Sequence, residues 1–101
     1  MGKEPRLSKQ TISVLSALLT TAELSGSEIA KQTALASGSL YPILYRLEEV
    51  GWLASRWEAD DPASLGRPRK RFYRITAAGQ RKVAQVISDL MPAHGRLVWK
   101  S

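Results

Sequence analysis

Arg67, Arg69, Lys70, Arg71 and Arg74 fall within eight consecutive positions of the stretch GRPRKRFYRITAAG at 66–79, which holds no acid. Cations packed this densely repel one another, which disfavours a free compact domain, but they match a polyanion with regularly spaced phosphates. The chemistry on offer is phosphate neutralisation, and the partner it fits is nucleic acid. Of the chain's net charge of +6, most of the excess lies in this segment, while the first 66 residues are nearly balanced. The charge is local, and a local excess reads as a site.

A second set of groups lies upstream. At about 100° per residue, a helix from Ser37 to about Val50, stopped by Gly51, puts Leu40, Ile43, Leu44, Leu47 and Val50 on one face. The opposite face carries Gly38, Tyr41, Pro42, Tyr45, Arg46 and Glu49. Two tyrosines and an arginine project where a surface helix ordinarily shows Lys and Glu, so this face looks built to touch something. The plainer reading is that Tyr41 and Tyr45 form a stabilising i,i+4 pair or pack on a neighbouring helix. Pro42 removes the amide that would bond the Gly38 carbonyl, which predicts a slight bend or a frayed first turn.

Nothing in the sequence converges on catalysis. Glu48 and Glu49 diverge by about 100° on their helix, Asp60 and Asp61 fall in a loop, and His94 is the sole histidine. Cysteine is absent, which excludes disulfides and thiolate metal sites. The expectation is no enzyme, no metal and no cofactor. There is no run of about 18 apolar residues and no apolar h-region at the N-terminus, so neither a membrane span nor a secretory signal is expected. A cytoplasmic protein without a membrane partner follows.

The elements that must position these groups fit one domain of 101 residues. Ser8 caps a first helix reaching about Thr21, with Ile12, Leu15, Leu18, Leu19 and Ala22 on its buried face. Ser25-Gly26-Ser27-Glu28 reads as a capping box opening a short helix to about Thr33. Strands run from Leu53 to about Trp57 and from about Lys70 to Ile75, with Phe72 and Arg74 on one face and Tyr73 and Ile75 on the other. The loop between them, about a dozen residues long, predicts a mobile tip. Thr76 caps a last helix whose Val83, Ala84, Val86, Ile87, Leu90 and Met91 form a wide apolar stripe ending near Pro92 and Gly95. That stripe exceeds what one small core needs. With Leu97, Val98 and Trp99 beyond it, it suggests a self-association surface centred on Val83, Val86, Ile87 and Leu90.

This order predicts a mainly α fold with a small β-hairpin, a winged helix-turn-helix with a C-terminal dimerisation helix. Residues 7–76 form the DNA-binding domain, 77–91 the dimerisation helix and 92–101 a tail. The N-terminal half of the third helix would enter the major groove with Ser37, Ser39, Tyr41 and Tyr45, Arg46 lying beside them on the same face. Arg67, Arg69, Lys70 and Arg71 would meet phosphates.

SGSEIAKQTALASGSLYPILYRLEEVGWLASRW together with GRPRKRFYRITAAG resembles the DNA-binding domain of PadR-like transcriptional regulators, over about residues 12–90. The resemblance implies a homodimeric repressor on a pseudo-palindromic operator in double-stranded DNA. Ser39, Tyr41, Pro42 and Tyr45 would approach DNA through the helix, and the last helix, often with the first, would pair the subunits. It also implies room for a small apolar or aromatic effector between subunits; Trp52, Trp57 and Trp99 are the tryptophans that could line it, though packing is their commoner use. Ala34 stands where that family usually has a turn glycine. A left-handed conformation there would cost roughly 1 kcal/mol. Ala36 stands where a capping Ser is common, so Ser37 is expected to take over the cap. The alternative function is a winged-helix protein-interaction module without sequence-specific DNA binding, since fold alone does not settle function. The cationic wing argues against it.

Overall fold

The computed structural model describes residues 7–90. Met91, Pro92, His94, Gly95, Leu97, Val98 and Trp99 therefore lie outside the described residues.

Helix α1 spans Lys9–Ala17 and begins as expected, with Ser8 Oγ accepting from the Thr11 amide at 3.2 Å. It stops earlier than the predicted Thr21. The Thr20 hydroxyl donates to the Ala17 carbonyl at 3.4 Å, supplying a terminal partner that another helical turn would otherwise provide. Its buried face is Thr11, Val14, Leu15, Ala17 and Leu18. Ile12 and Leu19 remain 39% and 44% exposed, and Ala22 lies beyond the helix on the surface. The predicted single stripe therefore splits: one edge of the apolar arc enters the core and the other turns toward the last helix.

A two-residue strand, β1 at Leu24–Ser25, leads into α2 at Gly26–Thr33. The capping box forms as predicted: the Glu28 amide donates to Ser25 Oγ at 3.2 Å and the Ser25 amide donates to Glu28 Oε1 at 2.8 Å. Ala34 ends α2 in the left-handed region at φ 58°, ψ 29°, which turns the chain into α3 at Ser37–Glu49. Ala36, in extended conformation, is the N-cap and offers no side-chain bond. Ser37 is already helical and does not take the cap. Leu40, Ile43, Leu44 and Leu47 are buried as predicted, but Val50 is the C-cap and is 37% exposed. The helix ends before that residue can swing onto the apolar face.

Strands β2 at Leu53–Trp57 and β3 at Arg71–Ile75 pair antiparallel, with Ser55 opposite Tyr73 and Trp57 opposite Arg71. The predicted hairpin gains a third strand, because β1 pairs with the other edge of β3, Leu24 opposite Tyr73. Their connection, where a mobile tip was expected, carries a single helical turn, α4 at Pro62–Leu65, with Pro62 at its start and Gly66 closing it at φ 69°. Last comes α5 at Ala77–Leu90. Thr76 Oγ accepts from the Gly79 amide at 3.1 Å and donates to the Gly51 carbonyl at 2.6 Å, fastening the helix start to the turn before β2. A β-carbon on Gly79 would collide with the Trp52 carbonyl, so only glycine lets α5 approach this closely. Gly79 is the sole fully buried residue of α5. The result is a winged helix-turn-helix, with α2 and α3 as the helix pair and β2, β3 and their connection as the wing.

Candidate nucleic-acid interface

Burying Leu40, Ile43, Leu44 and Leu47 forces the opposite face of α3 outward. Ser37, Ser39, Pro42 and Arg46 are all exposed there. Tyr45 is 66% exposed, with its hydroxyl a long 3.5 Å from Glu49 Oε2. Tyr41, 45% exposed, lies across the first turn of α2, its ring edge against Gly26. It does pack on a neighbouring helix, and nearly half of it still faces outward.

At the wing, Glu58 follows β2 and gathers the base of the loop. Its carboxylate accepts both terminal nitrogens of Arg67, at 2.8 and 3.0 Å, and the Lys70 amide at 3.0 Å. The Arg67 guanidinium first, then the Lys70 amide, hold the Glu58 carboxyl down to about 2. Arg67 is thus folded back onto an acid. Arg69 donates Nε–H to the Asp60 carbonyl at 2.9 Å, and Lys70 is exposed beside it. Arg71 donates to Ser55 Oγ at 3.0 Å, reaches Glu48 Oε2 at 3.5 Å and lies 5.1 Å from the Trp57 ring centroid. Arg74, three residues beyond Arg71 on β3, emerges on the other sheet face and leaves the cluster.

Tyr41, Arg69, Lys70 and Arg71 come together. With Ser25 and Trp57 they line one cleft of about 430 Å³ between the helix pair and the wing. Ser37, Ser39, Pro42, Tyr45 and Arg46 lie along α3 outside it, and Arg67 stays at the wing base. Sequence reasoning missed the roles of Glu58, Ser55 and Gly26, none of which has a local signature. Trp57 is exposed and lines this cleft, whereas Trp52 is buried.

A second surface is apolar. Val83, Val86, Ile87 and Leu90 of α5 face Ile12 and Leu15 of α1, and Leu19 just past its end, across a small groove of about 110 Å³. Ile87 and Leu90 are 54% and 74% exposed. Among the described residues there is no group of three His, Cys, Asp or Glu that could hold a metal, and no helix is long and apolar enough to cross a membrane.

The sequence model of the transcriptional regulator PadR-like family matches residues 14–85, from α1 into α5. The chain belongs to the PadR-like family. Solved structures agree on the fold. A PadR family transcription regulator from hypervirulent Clostridium difficile superposes with a TM-score of 0.69 at 24% identity, covering 92% of this chain and 93% of that one. Bacillus subtilis PadR in complex with operator DNA gives 0.68 at 20% identity, covering 81% of this chain and 48% of that one, so the match spans about half of that relative. NadR in complex with 4-hydroxyphenylacetate gives 0.65 at 21% identity over 92% and 69%. No curated protein matches the chain. As a PadR-like protein, it is a DNA-binding transcriptional regulator rather than an enzyme.

Proposed function

We propose that this PadR-like chain is a cytoplasmic repressor that binds a pseudo-palindromic operator as a homodimer. The observation that carries the reading is the shared cleft: Tyr41 of α3 and the wing cations Arg69 and Lys70 border the same opening. A duplex laid there meets the helix and the wing at once. Ser37, Ser39, Tyr41, Pro42, Tyr45 and Arg46 face base edges and the groove wall, and Arg69 and Lys70 neutralise phosphates. Bacillus subtilis PadR, a structural relative, is solved with operator DNA, which supports the choice of partner.

On this reading residues 7–76 are the DNA-binding domain and α5, described over Ala77–Leu90, is the dimerisation helix. The second subunit belongs on α5, because Ile87 and Leu90 stay exposed there beside the half-buried Val83 and Val86, leaving apolar surface that this domain's own core does not take up. To meet successive major grooves, pairing through α5 must set the two copies of α3 about 34–36 Å apart, one helical turn of DNA. An aromatic effector would sit between the subunits, against the apolar α1–α5 groove, and the NadR complex with 4-hydroxyphenylacetate supports that ligand class.

Fluorescence anisotropy of a labelled duplex, run beside analytical ultracentrifugation, tests the proposal. Binding of random-sequence duplex with a Kd of about 10⁻⁴–10⁻⁶ M at physiological salt, by a species sedimenting as a dimer, is the expected result. A monomer at micromolar concentration, or no duplex binding, contradicts it.

A further inference from the structure

Glu48 belongs to α3 but turns away from the tyrosine face. Its Oε2 accepts the Ser55 hydroxyl of β2 at 2.6 Å and lies 3.5 Å from an Arg71 terminal nitrogen of β3. Arg71 donates Nε–H to that same Ser55 hydroxyl at 3.0 Å and rests over the Trp57 ring. One carboxylate on the recognition helix therefore touches both strands of the wing. The Ser55 hydroxyl both donates and accepts, so the three groups close into a triangle.

An acid beside a DNA-binding face is unfavourable by charge alone, because it repels phosphates. Here the acid and an arginine of the cationic stretch are occupied with each other. We propose that Glu48 is a positioning residue for DNA binding: it holds Arg71 as a strut that fixes the wing's angle to α3, so that Arg71 orients the phosphate-contacting cations rather than contacting phosphate itself. The inference rests on the DNA-binding reading above. Holding the wing in its bound pose removes an ordering cost from binding.

The sign of one substitution tests it. Glu48→Gln removes a negative charge, which by electrostatics alone tightens binding. If Glu48 is the strut's anchor, duplex affinity instead falls by about two- to fivefold, the range expected for a partly exposed ion pair. Arg71→Met should weaken binding without changing the salt slope, and the double variant should bind no worse than Arg71→Met alone. Tighter binding by Glu48→Gln, or a slope flattened by about 0.9 per protomer in Arg71→Met, overturns the proposal.

Nuclear magnetic resonance of the free protein reads the strut without DNA. The Arg71 Nε–H should exchange slowly in wild type and several-fold faster in Glu48→Gln; equal rates overturn the proposal. Should Glu48→Gln fail to fold, Ser55→Ala breaks the same triangle without changing charge, and duplex affinity should again fall by about two- to fivefold; unchanged affinity overturns the proposal. A wild-type chain that binds no duplex sinks the DNA-binding reading itself, and the exchange rates then still decide whether Glu48 holds Arg71.

Discussion

The hydroxyl of Tyr41 occupies the space that a side chain on Gly26 would need. The missing β-carbon in α2 thus sets the pose of a side chain on α3. Gly26→Ala places a better helix former in the first turn of α2, so stability should change by less than about 1 kcal/mol. The substitution must push Tyr41 aside, however, and with it a contact worth about 1 kcal/mol. Duplex affinity should fall about fivefold with little change in melting temperature. Unchanged affinity would mean that the seat of Tyr41 does not matter to binding.

Salt dependence should report which cations meet phosphate. With Arg67 folded onto Glu58 and Arg71 tied to Glu48, Arg69 and Lys70 of two wings neutralise about four phosphates. Log K should then fall with log salt at a slope of about −4. Arg69→Ala should weaken all sequences alike and flatten the slope by about one per protomer. A wild-type slope near −1 would contradict this, as would an Arg69→Ala loss confined to one sequence.

The wing base should respond to acid late. Folding lowers the Glu58 carboxyl from 4.5 to about 2. A depressed carboxylate contributes stability that is complete above its unfolded pKa and disappears as pH falls through the folded value. The Arg67–Glu58 contact should therefore be intact at pH 5 and weaken progressively between about 4.5 and 2. Carboxyl titration by nuclear magnetic resonance should place Glu58 near 2, and Arg67→Ala should return it toward 4.5. An ordinary wild-type midpoint would show that the fork does not form.

Ala34 offers a stabilising substitution. Its left-handed backbone, at φ 58°, costs an L-residue roughly 1–2 kcal/mol, of which glycine's greater unfolded-state freedom takes back about 0.4–1. Ala34→Gly should stabilise the domain by about 0.5–1 kcal/mol and raise the melting temperature by about 3–6 °C. A lower melting temperature would refute the strained turn.

The parts of the fold visible in the sequence were those with local signatures. The Ser25–Glu28 box, the alternation of Phe72 through Ile75 and the apolar face of α3 each depend on neighbours within one turn or one strand. What escaped depends on distant partners. Strand β1 is two residues long, too short to alternate, and exists because β3 has an edge beside it. The buried phase of α1 was misjudged because Ile12 and Leu19 answer to α5, about 70 residues away, rather than to the core. The tyrosine face of α3 could be read directly from helical spacing. That Arg67 and Arg71 are committed to Glu58 and Glu48 could not, because no spacing rule links an acid to a cation 9 or 23 positions along the chain.

Selection of bound duplexes from a random pool tests most directly whether the tyrosine face of α3 and the wing grip one duplex. The account predicts a two-fold symmetric consensus with half-sites about 10–10.5 base pairs apart, centre to centre, and loss of that preference in Tyr45→Ala. A pool that emerges without enrichment, or a consensus that Tyr45→Ala leaves intact, would contradict it.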